Sequence, residues 1–265
     1  MSLGPPTPGG SRDPRTFTKR YPGAPPDFFA VEAAGLAWLR AAGGRAARVV
    51  AVREVGPDFI VVERVTTARP TATAADEFGQ ALAATHAAGA DAFGQPPPGW
   101  TGDGYIGRQP LTLRPTRTWG AFYAEQRLLP YARRARDLGT LSRSGLILVE
   151  RVCERLLAGE FDDGEPAARI HGDLWSGNVM FTTAGVVLID PAAHGGHALA
   201  DLGMLSLFGA PHLARIMASY AEAAGLDAGW RDLIGLHQLQ PLLVHAVSHG
   251  GAYGIQAEHT ARPYA

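Results

Sequence analysis

The stretch IHGDLWSGNVMFTTAGVVLID, residues 170–190, constrains the fold more than any other part of this chain. Its pattern predicts a polar loop between short strands, followed by a buried apolar strand over Gly185–Asp190 that ends on a carboxylate. Asn178 follows Asp173 by five positions, and Asp190 follows Asn178 by twelve. One carboxylate, one amide and a second carboxylate are thereby carried on adjacent segments. Each has a plain structural reading alone, as a turn former or a cap. Their ordered combination is much harder to reach by chance.

The rest of the chain supplies a setting for that loop. Residues 1–14 are rich in Pro, Gly and Ser. Arg15–Arg20 predicts a short strand with Phe17 and Lys19 on one face, and Pro25-Pro26 opens a helix bearing Phe28, Val31, Trp38 and Leu39. The β-branched runs Arg48–Arg53 and Phe59–Val65, split by Gly56-Pro57-Asp58, predict a hairpin. Thr73 is the expected cap of a helix reaching His86. A Gly/Pro-rich stretch over 89–115 carries GDGYIG, and helical patterns follow over 116–139, 146–159 and from Leu199 onward. The order is a small strand-rich part, residues 1–66, and a larger helical part, residues 67–265.

With 24 basic and 25 acidic residues, the formal net charge is −1. That balance offers no basic surface for nucleic acid and no polybasic membrane patch. No apolar run approaches the roughly 18 residues that span a bilayer, and the N-terminus lacks the pattern of a signal peptide. The single cysteine, Cys153, reads as a buried helical thiol, consistent with a reducing, cytoplasmic setting.

The interval from Asp173 to Asn178 is that of the kinase catalytic loop H-R-D-x-x-x-x-N, with Asp190 where a metal-binding Asp would sit. Phosphoryl transfer needs a group to orient and deprotonate a hydroxyl and hard oxygen donors for Mg²⁺, which suits Asp173 to the first task and Asn178 and Asp190 to the second. His171 is read as a structural support for the loop. HGDLWSGN followed by LIDPA resembles the fructosamine-3-kinase (ketosamine kinase) family, relatives of aminoglycoside phosphotransferases and choline kinases. Tyr105-Ile106-Gly107 is similar to that family's N-Y-I-G loop, and ADLGM around Asp201 to its A-D-L-A-M.

The resemblance implies an α+β, protein-kinase-like fold of two lobes: a small, shortened antiparallel-sheet N-lobe and a larger, mainly helical C-lobe. It implies that Lys19 contacts nucleotide phosphates, that Glu32 pairs with Lys19, and that Glu63-Arg64-Val65 is a hinge for adenine. Trp175 either faces an acceptor pocket or packs under the loop; Tyr105 joins it as a candidate for substrate contact. The implied activity is an ATP- and Mg²⁺-dependent phosphotransfer to a hydroxyl of a small sugar-amine, a ketosamine such as a fructosamine or ribulosamine. The alternatives are an aminoglycoside-like or choline-like acceptor, or a nucleotide-binding pseudokinase.

Three features depart from the family pattern. Only 18 residues precede Lys19, and Pro5, Pro6 and Pro8 predict no paired strand there, so Gly9-Gly10-Ser11 is at most a remnant of a phosphate-covering loop. That shortness implies either a start downstream of the usual first strands or a reduced nucleotide lid. Leu199 or Ala200 stands where the family carries glutamate, and Gly104 where it carries asparagine.

Overall fold

The computed structural model describes residues 7–9 and 13–265. Four antiparallel strands form the first sheet, in the order β1-β2-β5-β4: β1 (Thr7–Gly9), β2 (Thr16–Arg20), β4 (Val52–Val55) and β5 (Phe59–Glu63). The expectation that prolines exclude a paired strand before Lys19 is corrected, because Thr7–Gly9 pairs with Arg20–Thr18 and sets Pro8 opposite Lys19. An edge strand uses one flank of its backbone, which is where proline is tolerated in sheets. Pro5, Pro6, Gly10 and Ser11 lie outside the described residues.

Helix α1 (Phe28–Arg40) crosses behind this sheet and buries Phe29, Leu36 and Leu39 completely. The run expected as one strand over Arg48–Arg53 is divided. Its first part, β3 (Arg48–Val49), pairs in parallel with a strand of the 170–190 stretch, setting Arg48 opposite Val187 and Val49 opposite Leu188. Its second part returns as β4 to the first sheet, where Gly56 and Phe59 close the hairpin turn. Val49 and Val50, 3% and 1% exposed, are core residues, so burial rather than continuous pairing decides this segment's path.

Helix α2 (Ala72–Ala87) begins at Thr71, whose hydroxyl accepts from the Ala74 N–H at 3.2 Å. The cap is therefore Thr71 and not Thr73; Thr71 is extended and can turn its side chain back onto the first turn. Within 89–115 the chain forms a hairpin of β6 (Gly104–Ile106) and β7 (Gln109–Leu111). Next come α3 (Trp119–Phe122), a π-helical segment (Tyr123–Leu128), α4 (Leu129–Asp137) and α5 (Arg143–Leu157). Cys153 is buried in α5, where burial pushes its thiol up to about 12.

Strand β8 (Ala168–Ile170) leads into the polar loop, and β9 (Val179–Thr182) and β10 (Gly185–Leu188) leave it as an antiparallel pair. Strand β11 (His194–Gly196) returns against β8. Four helices finish the chain: α6 (Leu199–Phe208), α7 (Leu213–Ala224), α8 (Ile234–His249) and α9 (Gly251–Ala261). One apolar core joins α1, Ile60 of β5 and α2 to Leu174, Val187 and Leu188; a second lies among the helices. The first core clamps the stretch over residues 170–190 against α1, which brings the two ends of the sequence motif set into one cleft. None of the described helices is long and apolar enough to cross a membrane.

Candidate active site

The loop after β8 is held from behind by Asp201, in the first turn of α6. Its carboxylate accepts from the His171 N–H at 2.7 Å, the Gly172 N–H at 2.9 Å and His86 Nε2 at 3.0 Å. The other His86 nitrogen lies 2.8 Å from the Tyr220 hydroxyl. Burial works to raise the Asp201 pKa, but the hydrogen bond from His86 and the neighbouring imidazoles hold it below the ordinary carboxylate range. Gly172 has φ 78°, and a Cβ there would collide with the Ala192 carbonyl, so the loop's approach to the following segment requires glycine. His171 accepts from the Asp173 N–H at Nδ1 (3.3 Å) and donates from Nε2 to the Ile189 carbonyl (2.9 Å), which defines a neutral tautomer. Burial lowers its pKa, in keeping with that state.

On the cleft side, Asn178 Nδ2 donates to the Asp173 carbonyl at 2.8 Å and stands 3.3 Å from Asp173 Oδ2 and 3.4 Å from the Asp190 carbonyl. The amide nitrogen thus gathers the three segments, and its geometry leaves Oδ1 as the atom able to bind a cation. Asp190 has φ 53°, a left-handed conformation uncommon for residues other than glycine but one that Asp and Asn adopt more readily than most. Burial and then the negative charge of Asp190 push Asp173 up to about 7, opposed by the Asn178 hydrogen bond.

Lys19 of β2 reaches across from the sheet. Its Nζ is 2.7 Å from both oxygens of Glu32 on α1 and 3.1 Å from Asp190 Oδ1. Burial disfavours the ammonium, yet Glu32 and Asp190 outweigh it and raise the Lys19 pKa. Burial also pushes Glu32 up to about 7, against the pull of Lys19. Lys19, Glu32, Asp173, Asn178 and Asp190 all line one cleft of about 1040 Å³. Its donor set of a carboxylate and an amide oxygen is hard and oxygen-only, which fits Mg²⁺ shared with phosphate oxygens. Among the described residues no cluster of three or more His, Cys, Asp or Glu offers an all-protein metal cage.

Trp175 also lines the cleft; 43% exposed, it lays its ring over Gly177, where a Cβ would collide with it. Tyr105 lines the same cavity, its ring 5.2 Å from Phe28 and its hydroxyl 3.2 Å from the Pro26 carbonyl. Glu63 and Val65 are not brought to this cavity. The Glu63 carboxylate takes Arg48 at 2.9 Å, and the Glu63 N–H donates to Ala51. Of the positions departing from the family pattern, Gly104 lines the cavity, whereas neither Leu199 nor Ala200 does and Leu199 packs in the core. Sequence reasoning missed the part of the lining built by Gln109, His245, Ser248, His249 and Tyr253. Its signal was the recurrence of aromatic or imidazole rings every four residues at 245, 249 and 253.

Comparison with known proteins agrees in family and fold. The family model described as Fructosamine kinase matches residues 11–264. A Synechocystis protein named "Probable ketoamine kinase" is 33% identical over 206 residues, 77% of this chain and 66% of its own length. A Lactiplantibacillus plantarum protein of the same name is 29% identical over 96% of this chain and 88% of its own. The chain matches less than two thirds of the first of these and 61% of a Vibrio parahaemolyticus relative. A crystal structure assigned as a fructosamine-3-kinase of Thermobifida fusca superposes with a TM-score of 0.85 at 48% identity, covering 94% of this chain and 85% of that one. The aminoglycoside phosphotransferase APH(4)-Ia, at 16% identity and a TM-score of 0.58, shares the fold.

Proposed function

Since the chain belongs to the fructosamine kinase family, we propose that it transfers the terminal phosphoryl group of ATP to a hydroxyl of a small sugar-amine, a ketosamine in the first instance. The observation that carries this reading is the contact chain Asp173–Asn178–Asp190–Lys19–Glu32, which runs unbroken through one cleft. Asp173 orients the acceptor hydroxyl and takes its proton as the phosphoryl group moves; a carboxylate titrating at about 7 is well matched to that task near neutral pH. Asn178 and Asp190 would hold Mg²⁺, which supplies charge neutralisation on the transferring phosphates. Lys19, positioned by Glu32, faces the same phosphates. His171 and Asp201 keep the loop in register and take no part in the proton transfer.

The proposal divides the chain into a nucleotide-binding N-lobe, residues 1–66, and a catalytic C-lobe, residues 67–265. Adenine would lie against the backbone of Glu63–Val65, outside the large cavity, with the phosphates entering the cavity at Lys19, Asn178 and Asp190 and the rest of it open to the acceptor. Trp175 and Tyr105 would then contact the acceptor, an aromatic face suiting a sugar ring or an ammonium group.

The test is product identification. ADP release and phosphorylated product would be followed over ketoamines, glycated amino acids, aminoglycosides and choline-like amines, with Mg²⁺ present or chelated. Mg²⁺-dependent phosphorylation of a ketoamine is the expected result. Transfer only to aminoglycosides would move the acceptor assignment. A thermal shift with Mg·ATP but no ADP release from any acceptor would overturn the enzyme reading in favour of a pseudokinase.

A further inference from the structure

The cleft is also lined by residues that the phosphotransfer chain does not use. Its far wall is formed by Gln109 of β7, Phe208 at the end of α6, and His245, Ser248, His249 and Tyr253 from α8 and α9. Gln109 Nε2 donates to Ser248 Oγ at 3.1 Å, which ties the hairpin to α8. The same amide's Oε1 is buried and has no hydrogen-bond partner among the described residues. A buried acceptor in that state is held at an energetic disadvantage until a donor reaches it.

His245 presents a second acceptor to the cleft. Its Nδ1 lies 2.8 Å from the Pro241 carbonyl, and a carbonyl can only accept, so Nδ1 carries the proton and Nε2 a lone pair. The ring is fixed between Phe208, 4.7 Å away, and His249, 5.1 Å away and nearly parallel. Burial lowers its pKa, which favours the neutral ring at physiological pH. Among the described residues, the acidic side chains lining the cavity are Glu32, Asp173 and Asp190, the groups assigned above to the phosphate end. The far wall therefore joins two neutral acceptors to aromatic and imidazole faces, without an anion to attract an ammonium group. Hydroxyl groups on a carbon chain answer that chemistry: they donate to the acceptors while their C–H edges pack on the rings.

We propose that this wall binds the sugar portion of the acceptor, with Gln109 Oε1 and His245 Nε2 accepting hydrogen bonds from hydroxyls other than the one phosphorylated, so that these two residues set acceptor specificity. The inference rests on the phosphotransferase reading above and assigns the orientation of the acceptor within it: polyol toward α8, away from the acidic end.

The experiment uses the full chain and the variants His245→Phe and Gln109→Met, which keep ring or chain volume and remove one acceptor each. Steady-state kinetics would be measured with a ketoamine and its singly deoxygenated analogues. In the wild-type protein, removal of the recognised hydroxyl should reduce kcat/KM about 3- to 10-fold, the size expected of one uncharged hydrogen bond. In each variant the acceptor KM should rise by a similar factor, the ATP KM should stay within about twofold, and the penalty for one missing hydroxyl should disappear. Variants that fold normally by circular dichroism yet retain wild-type KM and wild-type preference among the analogues would overturn the proposal. Should the wild-type protein release no ADP with any ketoamine, the phosphotransferase reading fails instead. Calorimetric binding of a polyhydroxylated amine then decides the wall by itself: weaker binding by His245→Phe supports it, and equal or absent binding overturns it.

Discussion

Asp201 and Asp173 flank the same loop, and their surroundings turn one side-chain chemistry to opposite ends. Asp201 is 1% exposed and accepts from two backbone N–H groups and an imidazole within 3.0 Å, which hold it as an anion. Asp173 has one long side-chain contact, 3.3 Å from Asn178, and faces the like charge of Asp190; burial leads in pushing it up to about 7. A buried carboxylate with its donors in place becomes a brace, while one short of donors is poised to take a proton. The member proposed as the base is the one left less well solvated by the protein.

The largest effects should separate these two roles. Asp173→Ala should reduce kcat roughly 10²- to 10⁴-fold, the span typical of a lost general base, with nucleotide affinity by thermal shift nearly unchanged. Asp201→Ala should instead act on folding. It would strand the His171 and Gly172 N–H groups and His86 in the core, and breaking a buried charged cluster from one side typically costs about 3–5 kcal/mol. The urea midpoint would report the loss. An Asp201 variant as stable as the parent would remove the basis for calling that residue a brace.

Much of this arrangement was legible in the sequence because it is local. The loop from His171 to Asn178 and the strand Gly185–Leu188, which stops two residues short of the expected end at Asp190, are each short, strongly patterned and set by nearby residues. Lys19 and Glu32 were reached through resemblance, since nothing in a 13-residue separation specifies a contact of 2.7 Å. The elements misread were those governed by distant partners. Arg48–Val49 follows β10 and not its own hairpin, and Thr7–Gly9 pairs despite Pro8 because it needs only one flank. The wall of Gln109 and His245 was invisible for the same reason: it exists only once β7 is tied to α8, through Gln109 and Ser248, far apart in the chain.

A smaller effect sharpens the contrast through pH. Asp173 is shifted from 3.8 to about 7 on folding, so between those values the folded protein holds a proton that the unfolded chain releases, and stability falls as pH rises. Asp201 is shifted downward, so its contribution is present above the ordinary carboxylate value and is lost as pH falls through the lowered one. Asp173→Asn should therefore stabilise the ligand-free protein at pH 8 by on the order of 2 kcal/mol, the shift discounted for solvent screening. The same substitution should change little at pH 4. Chemical denaturation at both pH values checks the sign, and a stabilisation confined to pH 4 would contradict it.

The smallest effect belongs to Glu32→Gln, and it asks whether the sheet side of the cleft is a brace or a working group. The substitution keeps the shape and removes a carboxylate that burial pushes up to about 7. Lys19 would retain Asp190, 3.1 Å away, so its ammonium would not be stranded. A buried ion pair is by itself weak support for stability, and replacing one partner by a neutral isostere that still accepts a hydrogen bond limits the loss. Stability should accordingly change by less than about 1 kcal/mol. The Lys19 ammonium, however, would be drawn toward Asp190 alone and away from the line between α1 and the phosphates. The ATP KM should rise about 3- to 10-fold while kcat changes less, the signature of lost positioning in binding. A fall in kcat as deep as that of Asp173→Ala would instead place Glu32 in the proton-transfer apparatus, and the division between the two sides of the cleft would have to be redrawn.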